Sequence, residues 1–583
     1  MRYLASLLTS LAVGLTLQSC ATVTDSPEPP AAPTPTVAET APTPPPAPEP
    51  IEYGNFTEEQ LYQAIISELS AQRGQIPEAG QGYFELAFST RDLGIIQRAV
   101  QFASINNDLN GLLQLGLLWA EVAPEDPQPH LLLSFQFIES GDFQQALSHM
   151  SRVIDLGGRI DFSVLSNRTG RLTPQARAGL IANLQELSQE YPHEVSISTT
   201  LVRLLAQNQQ YAEALAELQK IQQQQPNDAA MFLLEAQLHQ SMDQVALALR
   251  TLRTGTRQFP DDRNLRFNYA RVLIQNDDYP GAQEQFRILV EQDPRDWETL
   301  YSIALLDIEM KNYDDAARSL QRLVGVDQRA DESQFYLGYI YEQQGRLEEA
   351  IDHYRQVRIG TQNFLAAQQQ ATRFSIQLGQ LQDAHQWLSR LSRGQPRLDV
   401  LFTTIESGAL LQAGYSNEAK QLLDTALNRY PNEVDLLFAR VLYFDSLGDQ
   451  AGSEQDLRQI ILMQPEDARA LNHLGYMLAD QTERYEEALD LLERATAADP
   501  EDPAIMDSLG WAQYKLGRYD EALENLRRAF ALFPDHEVAS HLGEVLWMMG
   551  RHEEASTVWK NALEERPDSE LIRAVIERFQ PAS

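Results

Sequence analysis

The stretch His536-Glu-Val-Ala-Ser-His541 sets two histidines and a glutamate in an order that invites comparison with an HExxH zinc helix. Its histidines are five residues apart, not four. On a helix that turns ~100° per residue, that spacing puts them on different faces, so they do not share one metal ion. The ten histidines are otherwise scattered, and the chain contains no Gly-x-Ser-x-Gly elbow, no Walker loop and no Gly-x-Gly-x-x-Gly turn. Paired carboxylates occur at Glu348-Glu349 and Glu486-Glu487, each just before an alanine, Ala350 or Ala488. A catalytic dyad needs two carboxylates in different surroundings, whereas these read as solvated residues of a recurring pattern. Fourteen residues follow Ser569, too few for an appended catalytic domain. We therefore expect no enzyme, no metal site and no cofactor.

The one cysteine is placed where a different chemistry applies. Arg2 supplies a positive start, the apolar run from Leu4 to Leu17 is too short to span a bilayer, and the run ends in Leu17-Gln18-Ser19-Cys20. This resembles a bacterial lipobox, with Gln18 departing from the small or aliphatic residue usual there. The resemblance implies that 1–19 is a lipoprotein signal peptide and that Cys20 is the lipid attachment site. The other reading is an ordinary cleaved secretory signal. A solitary cysteine makes no intramolecular disulfide and no thiolate cluster, so lipidation fits both its position and its solitude. Several acyl chains on one residue anchor stably where a single chain does not. Ala21 follows, not Asp, which in bacterial lipoproteins implies the outer membrane, facing the periplasm. Residues 20–50 are rich in Pro, Ala and Thr and acidic, a composition that favours polyproline II and builds no core. At ~3.1 Å per residue such a tether reaches roughly 90 Å. The net charge of −37 argues against nucleic acid and against docking on an anionic bilayer, leaving the lipid as the membrane contact.

Prolines reveal the elements that position everything else. One set of them falls at 124, 192, 226, 260, 294, 396, 431, 465, 500, 534 and 567, successive members being one, two or three multiples of 34 apart within one residue. A small residue precedes the proline by twelve, as at Ala214, Ala248, Ala282, Ala384, Ala419, Ala488, Ala522 and Ala555. A glycine precedes it by seventeen at Gly379, Gly414, Gly448, Gly517 and Gly550, and Leu-Gly recurs at 337–338, 474–475, 509–510 and 542–543. Internal periodicity of this kind outranks local readings. It is similar to the tetratricopeptide repeat, a helix-turn-helix of 34 residues. The early Gly and the Ala after the turn are small where two antiparallel helices cross. The later Gly ends the first helix without a Cβ penalty, and proline stops the second.

The fold class expected is all-α, a right-handed superhelical solenoid of about fifteen such units. Residues 51–156 form N-terminal repeats, 157–194 a degenerate repeat or protruding loop, 195–569 the main superhelix, and 570–583 a capping helix. In that last segment Leu571, Ile572, Val575, Ile576 and Phe579 make one stripe. Thr173-Pro174 has the chemistry of a helix N-cap and first position.

Likeness to the repeat family implies which positions face the groove: the second, fifth, ninth, twelfth and thirteenth. In this chain they include Phe135, Arg203, Phe267, Arg271, Tyr301, Phe335, Tyr339, Arg373, Phe438, Tyr476, Trp511, Tyr514 and Trp547. Glu298, Glu342, Asp435 and Asp507 share the lining. Aromatic residues interleaved with Arg are the composition of protein-binding hot spots. The groove is not the carboxylate-clamp type, which needs Lys and Asn at set positions; the chain has five Lys in all.

The lipobox, the tether, the opening segment from Phe56 to Ala103 and the late segment from Leu471 to Leu523 together resemble proteobacterial tetratricopeptide outer-membrane lipoproteins. Among these are the adaptors of periplasmic carboxyl-terminal processing proteases. That resemblance implies a protein that binds the protease together with peptidoglycan-hydrolase substrates and promotes their degradation. The alternative is a structural scaffold for an envelope complex, such as exopolysaccharide export or peptidoglycan synthesis.

Overall fold

The computed structural model describes residues 56–579 except 167, 170–171 and 225–227. Cys20, the signal segment and the tether lie outside the described residues. The chain divides into two compact units, Met1–Met310 and Lys311–Ser583. Among the described residues the first holds fifteen helices, from Glu58–Gln72 to Trp297–Glu309, and the second sixteen, from Tyr313–Gly325 to Glu570–Phe579. Among the described residues there is no strand, and no helix is long and apolar enough to cross a membrane.

Small residues hold the two helices of a unit close. A Cβ added to Gly510 would meet Leu526 at 2.7 Å and the carbonyl of Ala522 at 3.1 Å; at Gly475 it would meet Leu492 at 2.6 Å, and at Gly338 the Tyr354 ring at 2.7 Å. Gly543 is the tightest of the four, since Trp559 Nε1 fills the space a Cβ would take. Each glycine thus receives a large side chain from the second helix of its own pair. The reciprocal alanines Ala214, Ala248, Ala282, Ala350, Ala384, Ala419, Ala488, Ala522 and Ala555 are no more than 1% exposed. In the helix Gln450–Met463 a serine, Ser453, takes that place, and its hydroxyl donates to Asp445 at 2.5 Å.

The turn between paired helices needs a left-handed residue. Gly345, Gly379, Gly414, Gly448, Gly517 and Gly550 supply it with φ from 69° to 82°. Where glycine is missing the backbone takes the same conformation regardless: Gln209, Asp243, Asp277 and Lys311 lie at φ 58° to 62°. The geometry is therefore more regular than the glycine pattern. One turn departs: Thr482 is extended, at φ −139° and ψ 179°.

Aspartate starts the helices. Asp262, Asp296, Asp467 and Asp502 each stand two residues after a proline of the 34-residue series, and each side chain accepts from a backbone N–H of the helix it opens. Asp126 and Asp228 also follow series prolines by two and cap in the same way, and Asp92, Asp108, Asp142, Asp278, Asp449 and Asp535 do so elsewhere. Part of the acidic character is thus committed to helix N-termini, where the dipole favours it.

Residues 157–194 lie inside the first unit. They contain the single turn Ser163–Ser166 and the helix Pro174–Glu190, which Thr173 caps by accepting from the Ala176 N–H. Phe162 and Leu165 are fully buried and join the same apolar cluster as Leu180 and Leu184. At the far end Ile572 and Val575 are buried beside Trp559, with Ile576 and Phe579 against them. Leu571, expected in that stripe, is instead 41% exposed, because the packed arc of the helix passes through Ile572 and Val575.

Two kinds of stability change follow, measurable by denaturant unfolding. Gly543→Ala must displace the fully buried Trp559 and is expected to cost about 1–3 kcal/mol. Gly408→Ala, mid-helix with open space around its Cβ, is expected to gain about 0.5–1 kcal/mol. Replacing the strained turn residues, Gln209→Gly or Lys311→Gly, is expected to stabilise by about 1 kcal/mol each.

Candidate protein-binding surface

The residues expected in the groove lie mainly on first helices of successive pairs, but they are not equally open. Phe135 is 43% exposed, and Arg203 and Arg373 are also exposed. Phe267, Arg271, Phe335, Tyr339, Tyr476, Tyr514 and Trp547 are half-buried. Tyr301, Phe438 and Trp511 are buried, at 3%, 9% and 5% exposure, so an open aromatic face does not describe them. Tyr301 sits in the helix Trp297–Glu309, where Leu300, Ile303, Ala304, Leu305, Leu306 and Ile308 are buried too; a helix apolar on all sides is enclosed. Phe438 is covered by the Arg469 guanidinium, 4.1 Å from its ring centroid, and by the edge of His473. Trp511 is stacked on His541 with centroids 4.1 Å apart, and its Nε1 donates to Asp480 at 3.2 Å.

Within the second unit the structure brings several of these residues together. Tyr476, on Ala468–Gln481, donates its hydroxyl to Glu537 at 3.0 Å. Tyr514, on Pro503–Lys515, donates to Glu544 at 2.9 Å, and Arg578 also bonds Glu544. His541 Nδ1 donates to Asp507 at 2.9 Å, both side chains being 8% exposed. Trp547 packs on Trp559 and Phe579. A second grouping surrounds Phe335, whose ring lies 5.6 Å from that of Tyr354; Tyr354 donates to Glu342, which also pairs with Arg373. The first unit's Phe135 and Arg203 stand on separate helices, Pro127–Ser140 and Val195–Gln207.

The electrostatics follow from burial and neighbours. Burial pulls the His541 pKa down, but the Asp507 hydrogen bond and the charges of Asp507, Glu537 and Asp480 outweigh it and hold the imidazole above its ordinary 6.5. Burial and the carboxylates Glu537 and Asp480 push the Tyr476 hydroxyl far up, and burial and Glu544 do the same to Tyr514, so both remain hydrogen-bond donors. His536, the other histidine of the opening motif, bonds Asp535 and Arg566 and takes no part in this cluster. Among the described residues no three metal-ligating side chains converge.

The sequence reading missed one surface. On the first helix, Glu58–Gln72, Leu61, Tyr62, Ile65, Ile66 and Leu69 are 40% to 67% exposed and share one face. The spacing i, i+1, i+4, i+5, i+8 was its available signal.

Tetratricopeptide-repeat family models match residues 176–238, 233–297, 301–364, 466–535 and 513–578. The TPR repeat-containing protein PA4667 of Pseudomonas aeruginosa is 39% identical over 511 residues, covering 88% of this chain and 86% of that protein. The chain belongs to the tetratricopeptide-repeat family. Solved structures of similar fold include Naa15/Naa10 bound to HypK-THB, at 14% identity and TM-score 0.39 over 72% of this chain and 70% of that one. Another is the thermophilic TPR protein TTC0263 of Thermus thermophilus, at 24% identity and TM-score 0.27 over 30% of this chain and 95% of that one. Tetratricopeptide repeats make the chain a protein–protein interaction scaffold, and their architecture is typically non-catalytic.

The raised His541 pKa has a signed consequence for this repeat array. Its stabilising contribution is present in full below the unfolded value of 6.5 and is lost as pH rises through the higher folded value. The denaturant midpoint of the wild-type chain is expected to fall as pH rises above about 6.5, and His541→Gln to flatten that slope in equilibrium unfolding.

Proposed function

We propose that the chain is a non-catalytic adaptor. It is an outer-membrane lipoprotein, anchored through acyl chains on Cys20 and facing the periplasm, that holds a carboxyl-terminal processing protease and its peptidoglycan-hydrolase substrates together to promote proteolysis. The observation that carries the reading is the apolar stripe of Glu58–Gln72, in a family whose members bind proteins. Tyr62 is 67% exposed and Leu61, Ile65, Ile66 and Leu69 at least 40%. Contiguous apolar surface of this kind marks a contact with another macromolecule. Its acidic first turn, Glu58 and Glu59, disfavours an anionic bilayer as the occupant and leaves a protein.

The resemblance of the leader and repeats to protease-adaptor lipoproteins supports the finer assignment. An adaptor needs no reacting groups of its own. By binding enzyme and substrate on one chain it turns a bimolecular encounter into an intramolecular one, with an effective concentration set by the spacing of the two sites. A tether that ends in lipid adds proximity to the cell wall, where the substrates act.

Three measurements test this. A pulldown from detergent-solubilised envelope is expected to recover the protease, and Tyr62→Glu combined with Ile65→Glu to reduce recovery at least about tenfold with unchanged circular dichroism. Recovery of no protease by the wild-type chain sinks the reading. Cys20→Ala is expected to abolish labelling by palmitate and release the protein from the membrane fraction. Deleting the gene is expected to lengthen the half-lives of cell-wall hydrolases; unchanged half-lives point to a structural scaffold instead.

A further inference from the structure

After Pro260, Pro294, Pro431, Pro465 and Pro500 the next helix begins three residues on. After Pro396 it begins at the proline itself, which takes the first helical position of Pro396–Gln412, and Gly394 turns the chain into it at φ 78°. The aspartate of this repeat, Asp399, therefore lies inside the first turn and is no cap. Its carboxylate accepts instead from Arg429 Nη1 at 2.7 Å, from the Tyr430 hydroxyl at 3.1 Å and from the Ser392 hydroxyl at 3.2 Å. At other junctions a side chain of the following second helix reaches back to the series proline: Gln292 bonds the Pro260 carbonyl, Gln459 that of Pro431 and Arg494 that of Pro465. Among the described residues no such bond runs from Ser416–Arg429 to Pro396. A cavity of about 400 Å³ remains there, and its lining includes Ser389, Ser392, Arg393, Asp399, Arg429 and Tyr430.

We propose that this cavity docks an acidic segment of a partner protein, one carboxylate of which is held by Arg393 and Arg429. Hydrogen-bond donors are in surplus here. The exposed Arg393 side chain has no hydrogen-bond or ion-pair partner among the described residues, so its whole guanidinium is open to a ligand. Two guanidiniums against the one carboxylate of Asp399 leave a single net positive charge, which suits a carboxylate better than a phosphate dianion. The flanking sequence agrees: residues 384–398 carry Arg390, Arg393 and Arg397 and no Asp or Glu, in a chain of net charge −37. Exposed charges more than about 8 Å away are largely screened at physiological ionic strength, so the local balance decides what docks. The cavity uses the ends of two second helices, Leu381–Leu391 and Ser416–Arg429, and the loop between repeats; none of the groove positions lines it.

The test is titration calorimetry of the full chain with a peptide of about eight residues, alternating Glu and Gly with both ends blocked, at about 0.15 M salt. The probe is a peptide and not the protease, so the result stands apart from the adaptor reading. Saturable binding to the wild-type chain is expected, and none by the same peptide with Gln in place of Glu. Arg393→Ala removes a side chain that makes no bond within the chain; it is expected to weaken binding about tenfold with unchanged circular dichroism. Arg397→Ala makes the same charge change in the same segment but outside the cavity lining, and is expected to weaken binding less than about threefold. Inorganic phosphate at the peptide's concentration is expected not to compete. Absence of binding by the wild-type chain overturns the proposal, as does displacement of the peptide by phosphate. Equal losses in Arg393→Ala and Arg397→Ala overturn it too, since they mark diffuse surface charge in place of a site.

Discussion

Close approach of two antiparallel helices at a glycine or alanine is the constraint on which the other features depend. Helices normally pack with axes about 8–10 Å apart, the value being set by the side chains at the contact. At Gly338, Gly475, Gly510 and Gly543 there is no room for one more carbon, and the space is filled from the second helix by Tyr354, Leu492, Leu526 or Trp559. That fixes where the second helix crosses, and hence how many residues the turn must contain. The turn in turn requires a left-handed residue at one position, so Gln209, Asp243, Asp277 and Lys311 adopt that conformation without a glycine. Local strain there is smaller than the loss that misplacing the crossing would bring.

The acidity of the chain takes on a different meaning once the helix starts are known. Among the described residues twelve aspartates cap helices with their side chains, and others are held in ion pairs such as Asp456 with Arg440, at 2.8 Å. Arg458 and Arg484 form a network with Glu454 and Glu487, on successive second helices. Exposed pairs of this kind contribute little individually. Their effect is to distribute charge along the array, so the net value describes solubility better than it describes any one binding face.

Periodicity made the fold legible, because each mark of the pattern reports a steric requirement: proline a stop, glycine a turn, alanine a crossing. Ser453 and the non-glycine turn residues escaped that reading, since the backbone tolerates substitutes the pattern does not announce. The binding face was less legible. Position in a repeat says which way a Cβ points, not what lies above it. Trp511 and Phe438 point as expected yet are covered, the first by His541 and the second by Arg469. Both covers come from the following repeat, and repeat numbering carries no information about such contacts. The first-helix stripe was visible in principle. It escaped because the groove positions are defined within a repeat and do not describe the outer face of Glu58–Gln72.

Aromatic–carboxylate pairing gives the groove a chemical character beyond its shape. Tyr476, Trp511 and Tyr514 each donate to a carboxylate on another repeat, and His541 does the same to Asp507. A buried donor or acceptor left without a partner is more costly than the bond itself is favourable. A protein that separated the buried and partly buried pairs, Trp511–Asp480, Tyr514–Glu544 and His541–Asp507, would therefore have to offer matching acceptors and donors, whereas water can replace the exposed Tyr476–Glu537 bond. An apolar segment alone would leave both sides of those pairs unsatisfied. On the proposed reading, selectivity in this stretch would arise from what an incoming chain has to replace, while the apolar helix Glu58–Gln72 would accept contact on shape and hydrophobicity.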